Sequence, residues 1–150
     1  MHMRRALCSM AVYLLLNACS APAAAQTAGA AEQFAQGYAR WSAGQYDEAK
    51  EFFQQAVAPD YPLADYALYF LSLIAIHQRD WDTARQLLAA LQGRYPQSVW
   101  FHHAEIQRAK IAIGERNHTQ VIEIVRGLRE RKDLPDQIAE ESLLLEAQAH

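Results

Sequence analysis

Apolar residues recur along the chain with the period of a helix, and they do so in units that repeat. "SAGQYDEAKEFFQQA", residues 42–56, reads as a turn followed by a helix with a small residue at its centre. "QRDWDTARQLLAAL", residues 78–91, repeats it. Tyr46, Ala49, Phe53 and Ala56 return as Trp81, Ala84, Leu88 and Leu91, each displaced by 35 residues. In "ERNHTQVIEIVRGL" the last three places are taken by Val121, Val125 and Leu128 after a displacement of 37. A period in the thirties marks stacked helix pairs, each unable to bury its apolar face alone.

The pattern predicts seven helices. In helix one Phe34, Tyr38 and Trp41 fall at i, i+4 and i+7, and Gly44 ends it. Asp47 and Glu48 place negative charge in the first turn of helix two, where exposed N–H groups favour it. Pro59 and Pro62 break the chain before helix three, about 63–77. Asp80 is the expected N-cap of helix four, which buries Trp81, Ala84, Leu87, Leu88 and Leu91 and stops at Gly93 and Pro96. Ser98 is the expected cap of helix five, with Phe101, Ile106, Ala109 and Ile113 on its buried side and Gly114 at its end. Helix six covers about 119–130. Pro135 closes it, and helix seven runs from near Asp136 to His150. No β-pattern appears.

The small residues have a physical reason. Ala49 and Ala84 fall where the helices of a pair cross closely, and a larger side chain would force them apart. Gly44 permits a tight turn, and Tyr46 and Trp81 fill the gap beside it. These residues resemble the tetratricopeptide repeat over about 32–133, with Gly37 at its first-helix glycine and Pro96 at its terminal proline. Gln33, Gln36 and Arg40 depart from its apolar positions in the first copy. The resemblance implies an all-α fold, a right-handed stack of antiparallel helix pairs. The α-solenoid would hold about three pairs and one unpaired C-terminal helix.

Two longer runs, "PLADYALYFLSLIAIHQRDW" and "LLAALQGRYPQSVWFHHAEIQRAKIAIGE", resemble the N-terminal superhelical region of the soluble lytic murein transglycosylases. That likeness implies a non-catalytic scaffold of the bacterial cell envelope, placed ahead of a peptidoglycan-cleaving domain. The alternative is a tetratricopeptide adaptor that binds envelope proteins.

The N-terminus suggests export. "MHMRR" is a basic start, and "ALCSMAVYLLL" is an apolar run of signal-peptide length, too short to span a bilayer as a helix. Ala23 and Ala25 bracket an A-x-A site, so residues 1–25 read as a signal peptide and 26–31 as a small-residue linker. Residues 32–150 read as the repeat domain, truncated at its C-terminus. A rival reading takes Leu16-Asn17-Ala18-Cys19 as resembling a lipobox with Cys19 as the lipidation site, although Asn17 departs from that pattern. The protein is thus expected in the periplasm or, if lipidated, on the outer membrane. Both cysteines, Cys8 and Cys19, precede Gln26, so cleavage there leaves no thiol chemistry.

The 150-residue chain has 14 basic and 17 acidic residues and a formal net charge of −3, with no basic stripe of the kind that holds nucleic acid. No catalytic, cofactor or metal site is expected. Glu141-Ser142 matches the Glu-Ser pair of the transglycosylases but lacks the Gly-rich context that follows it there. His102 and His103 are adjacent on a helix and point about 100° apart, which does not suit a shared ion. "GLRERKDLP", residues 127–135, reads as a solvated helix end. What remains is aromatic. Phe34, Tyr38 and Trp41 on helix one, and Tyr66, Tyr69 and Leu73 on helix three, read as one stripe in register a repeat apart. They are the candidate interaction surface. Its expected partner is an envelope protein or peptide, or a downstream catalytic domain. A membrane is expected as partner only through Cys19.

Overall fold

A computed structural model describes residues 23–132 and 134–149. The described residues form seven helices in succession: α1 Ala23–Ser42, α2 Tyr46–Ala56, α3 Ala64–His77, α4 Trp81–Arg94, α5 Phe101–Gly114, α6 His118–Arg129 and α7 Asp136–Gln148. The described residues contain no strand. Each of α1–α2, α3–α4 and α5–α6 packs as a pair, each pair packs on the next, and α7 stacks on α5 and α6. This is the expected tetratricopeptide-like α-solenoid.

The repeated positions form its spine. Ala49, Phe53 and Ala56 of α2, Ala84, Leu88 and Leu91 of α4, and Val121, Val125 and Leu128 of α6 are all at most 1% exposed. The alanines fill the close crossings of α1 with α2 and of α3 with α4. At the last crossing Val121 takes their place.

The turn inside each pair is the same Schellman motif. The N–H of Gln45 donates to the Arg40 carbonyl at 2.9 Å, that of Asp80 to Ala75 at 2.9 Å and that of Asn117 to Ala112 at 2.8 Å. A second bond, from the preceding residue, closes each turn: Gly44 to Trp41, Arg79 to Ile76 and Arg116 to Ile113. The preceding residue must be left-handed, with φ of 75° at Gly44, 58° at Arg79 and 59° at Arg116. A glycine meets this demand without strain, and the two arginines do not.

Tyr46 and Trp81 do more than fill a gap. Tyr46 packs on Trp41 and also on His77, the last residue of α3, at ring-centroid distances of 4.9 and 4.6 Å. Trp81 lies against Gly114 at the end of α5, so closely that a Cβ there would meet its ring at 3.2 Å. Each therefore ties a pair to the next one. Outside them Gln78 donates to Asp47 at 2.7 Å, and Arg85 pairs with Glu115 at 2.7 Å, at the corresponding corner one repeat on.

Several boundaries differ from expectation. Residues 26–31 are not a linker but the second turn of α1 onward, because the alanine-rich run has strong helix propensity and Gly29 alone does not interrupt it. Gly93 does not stop α4, which continues to Arg94 and ends before Pro96. Ser98 does not cap α5. Trp100 holds the N-cap position, and the Ser98 hydroxyl instead donates to Asp65 at 2.6 Å and accepts the Trp100 N–H at 3.1 Å. Asp80 caps α4 by accepting the Thr83 N–H, as expected, and Asn117 does the same for α6 through Gln120. Trp81, Leu87, Phe101 and Ile113, expected to be buried, are half-buried. The signal-peptide core and Cys19 lie outside the described residues.

Candidate functional site

The first helices of the pairs face one side of the stack. Aromatic rings meet between α1 and α3, and between α3 and the start of α5. There they leave a cavity of about 370 Å³ lined by Phe34 and Tyr38 of α1, Leu63, Tyr66 and Phe70 at the start and middle of α3, and Trp100 at the start of α5.

Its walls stand at steep angles. Tyr66 meets Phe34 at 83° and Trp100 at 88°, with centroids 6.5 and 5.2 Å apart. Tyr38 meets Phe70 at 73° and 5.7 Å. Such edge-to-face contacts suit the aromatic quadrupole and hold each ring in place. Phe53 stacks on one face of Phe70 at 5.1 Å, and Tyr69 stacks on Trp100 at 4.2 Å, so the lining rings are backed by core. Tyr38 is 51% exposed.

Of the six residues predicted for an interaction surface, the structure brings three to this cavity: Phe34, Tyr38 and Tyr66. The other three belong to the packing behind or beside it. Trp41 sits between Tyr46 and Phe70, Tyr69 is 6% exposed beneath Trp100, and Leu73 packs on the core of the second pair. The reason is register. The turn residues Gly44 and Arg79 set the offset between α1 and α3 at 35, which matches Phe34 with Tyr69 and Tyr38 with Leu73. The pairing expected from the sequence, Phe34 with Tyr66 and Trp41 with Leu73, is an offset of 32, three residues short of this. Leu63, Phe70 and Trp100 were missed. Phe70 follows Tyr66 at i+4 and was open to detection by that spacing. Trp100 lies in a turn, outside any helical pattern.

The same face becomes polar beyond the cavity. Gln107 donates to the Tyr69 hydroxyl at 3.2 Å, His103 packs against Trp100 and Tyr69, and Lys110 pairs with Glu141 of α7 at 2.7 Å. Burial pulls the His103 pKa below the usual imidazole range, with Glu141 opposing and His102 and Lys110 reinforcing the shift. Burial also pushes the Tyr69 phenol up, against the Gln107 hydrogen bond.

Other residues weighed for chemistry have structural places. Ser142 is fully buried and donates to the Ala139 carbonyl at 2.7 Å, while its neighbour Glu141 is committed to Lys110. Among the described residues no group of three or more His, Cys, Asp or Glu side chains is placed to hold a metal, and no helix is long and apolar enough to cross a membrane.

A tetratricopeptide repeat family model matches residues 34–99. The match runs from the first groove residue to the turn before α5, so it covers most of the first two pairs. No curated protein and no solved structure matches the chain. Helix pairs of this kind are typically non-catalytic scaffolds for protein–protein interaction, and their stacking builds extended binding surfaces.

Proposed function

We propose that the protein is a non-catalytic interaction module of the bacterial cell envelope that holds a segment of another protein in the aromatic groove. One observation carries the reading: six uncharged, mostly aromatic side chains from three successive helix pairs converge on one open cavity. Rings of this kind supply contact area at low entropic cost and dominate many protein interfaces. The repeat match supports a scaffold, since the fold offers surfaces rather than reactive groups.

Export is the second part of the proposal, and it rests on the basic start, the apolar run and the A-x-A site of residues 1–25. The likeness to the superhelical region of lytic transglycosylases rests on the two quoted runs alone. The adaptor reading is adopted because the groove, which any such scaffold could carry, accounts for the site without a catalytic partner. The test is to replace Tyr38 by photoreactive benzoylphenylalanine in the exporting cell and irradiate. A discrete covalent adduct with one protein is expected from position 38 and not from exposed position 127. Identical adducts from both positions, or none from position 38, would refute the groove as the binding surface.

A further inference from the structure

The cavity has a chemical preference beyond being apolar. None of its six lining side chains is charged, and five carry π-systems. Neighbouring ring planes stand steeply to one another, so the lining is not one flat platform. An aromatic face carries partial negative charge, and several faces around one space attract a cation.

A formal negative charge lies close behind this wall. Asp65 adjoins Tyr66 in the first turn of α3 and is only 8% exposed. One of its oxygens accepts the Tyr66 N–H at 2.9 Å and the other accepts the Ser98 hydroxyl at 2.6 Å. Both donors are neutral, and Asp65 forms no salt bridge among the described residues. Ser98 in turn accepts the N–H of Trp100, so the carboxylate sits in the same hydrogen-bonded corner that positions two of the cavity walls. A buried carboxylate without a cationic partner creates a field that is weakly screened. Of the basic groups nearby, Lys110 is paired with Glu141, burial favours the neutral form of His103, and Arg131, which borders Ser98, is exposed and lies over the Phe101 ring at 5.0 Å.

We propose that the aromatic cavity takes a basic side chain, lysine or arginine, from the polypeptide bound in the groove. This rests on the reading of the groove as a protein-binding surface. The methylene stem of such a side chain suits the apolar walls, and its charged head meets the ring faces and the field of Asp65. The overall acidic balance of the chain, 17 acidic against 14 basic residues, favours approach of a basic partner.

The test uses two capped pentapeptides, Gly-Ala-Lys-Ala-Gly and its norleucine analogue, titrated into the exported protein at millimolar concentration. Binding is followed by NMR through the rings of Tyr38, Tyr66 and Trp100. The lysine peptide is expected to bind about 3- to 30-fold more tightly than the neutral one, the range that cation–π contacts give from exposed to desolvated sites. Asp65→Asn keeps a hydrogen-bonding group and removes the charge, and should shrink that preference. Tyr38→Leu keeps an apolar surface at an exposed position and removes a ring, and should shrink it too. The second variant carries the test if the first does not fold. Equal or tighter binding of the norleucine peptide would overturn the cation preference and leave the groove as a peptide site. A preference unchanged in the folded variants would also overturn it. Neither peptide perturbing these rings would overturn the groove reading itself.

Discussion

Gly37 offers a sharp test of the packing between α1 and α2. A Cβ built at this position would lie 2.9 and 3.0 Å from two ring carbons of Phe53 and 3.2 Å from the Cβ of Phe52. Carbon atoms normally rest at about 3.5–4.0 Å, so the ring would have to retreat. It cannot do so easily. Phe53 is fully buried, stacked on Phe70 at 5.1 Å and tilted against Phe34 at 5.6 Å. Overpacking of this kind costs about 1–3 kcal/mol. Alanine in a helix regains about 1 kcal/mol over glycine, so Gly37→Ala should lose a net ~1 kcal/mol. In a domain of this size that lowers the thermal midpoint by about 3–5 °C. Gly127, inside α6, has no atom within 4 Å of a built Cβ, so Gly127→Ala should gain about 0.5–1 kcal/mol from propensity alone. Urea unfolding followed by far-UV circular dichroism compares the two directly. If Gly37→Ala proved as stable as Gly127→Ala, the close approach of α1 to Phe53 would be refuted.

Three more outcomes are expected. Arg79→Gly should raise the urea midpoint by the equivalent of about 0.5 kcal/mol, since relief of the left-handed strain outweighs the entropy that glycine adds to the unfolded chain; a lower midpoint would count against the turn geometry. Ala84→Leu should cost about 1–3 kcal/mol by overpacking a fully buried crossing, and an unchanged thermal midpoint would mean the crossing is looser than described. His103 gives a pH signature. Burial depresses its folded pKa, so the unfolded chain binds the proton first as pH falls below about 6.5. Its share of stability is therefore complete above that pH and is lost on acidification towards the folded pKa. His103→Gln should flatten the dependence of the thermal midpoint on pH between about 6.5 and 5, and an unchanged slope would argue against the burial.

The sequence carried the spine of the fold more fully than its surface. Ala49, Ala84, Phe53 and Leu88 repeat because every pair must solve the same crossing, so one periodic rule covers them. Asp80 was legible because a capping carboxylate three residues before Thr83 is a local arrangement. Arg79 and Arg116 were not. Nothing in an arginine signals positive φ, and the turn takes that shape because stacked pairs must enter their second helices alike. The aromatic site was half legible. Phe34, Tyr38 and Tyr66 follow helical spacing, whereas Trp100 reaches the cavity from a turn held by the Asp65–Ser98 contact, which joins residues 33 positions apart.

On the proposed reading of the groove, the departures from the repeat are where selectivity would reside. Adding the second offset of 37 to Tyr66 and Phe70 leads to His103 and Gln107, so the third pair places polar groups where the second places rings. The core positions of that pair stay apolar throughout, with Val121, Val125 and Leu128 buried. Packing therefore constrains one face of each pair and leaves the other free to vary. The cavity ends where the rings end, and His103 and Gln107 are already engaged there with Trp100 and Tyr69. A segment lying along this face would pass from an open aromatic cavity to a hydrogen-bonding surface carrying the Lys110–Glu141 pair. Such a change of chemistry along one line would give a bound chain a direction. A partner held only by its apolar content could slide or reverse, whereas one that also has to satisfy the polar end is fixed in register.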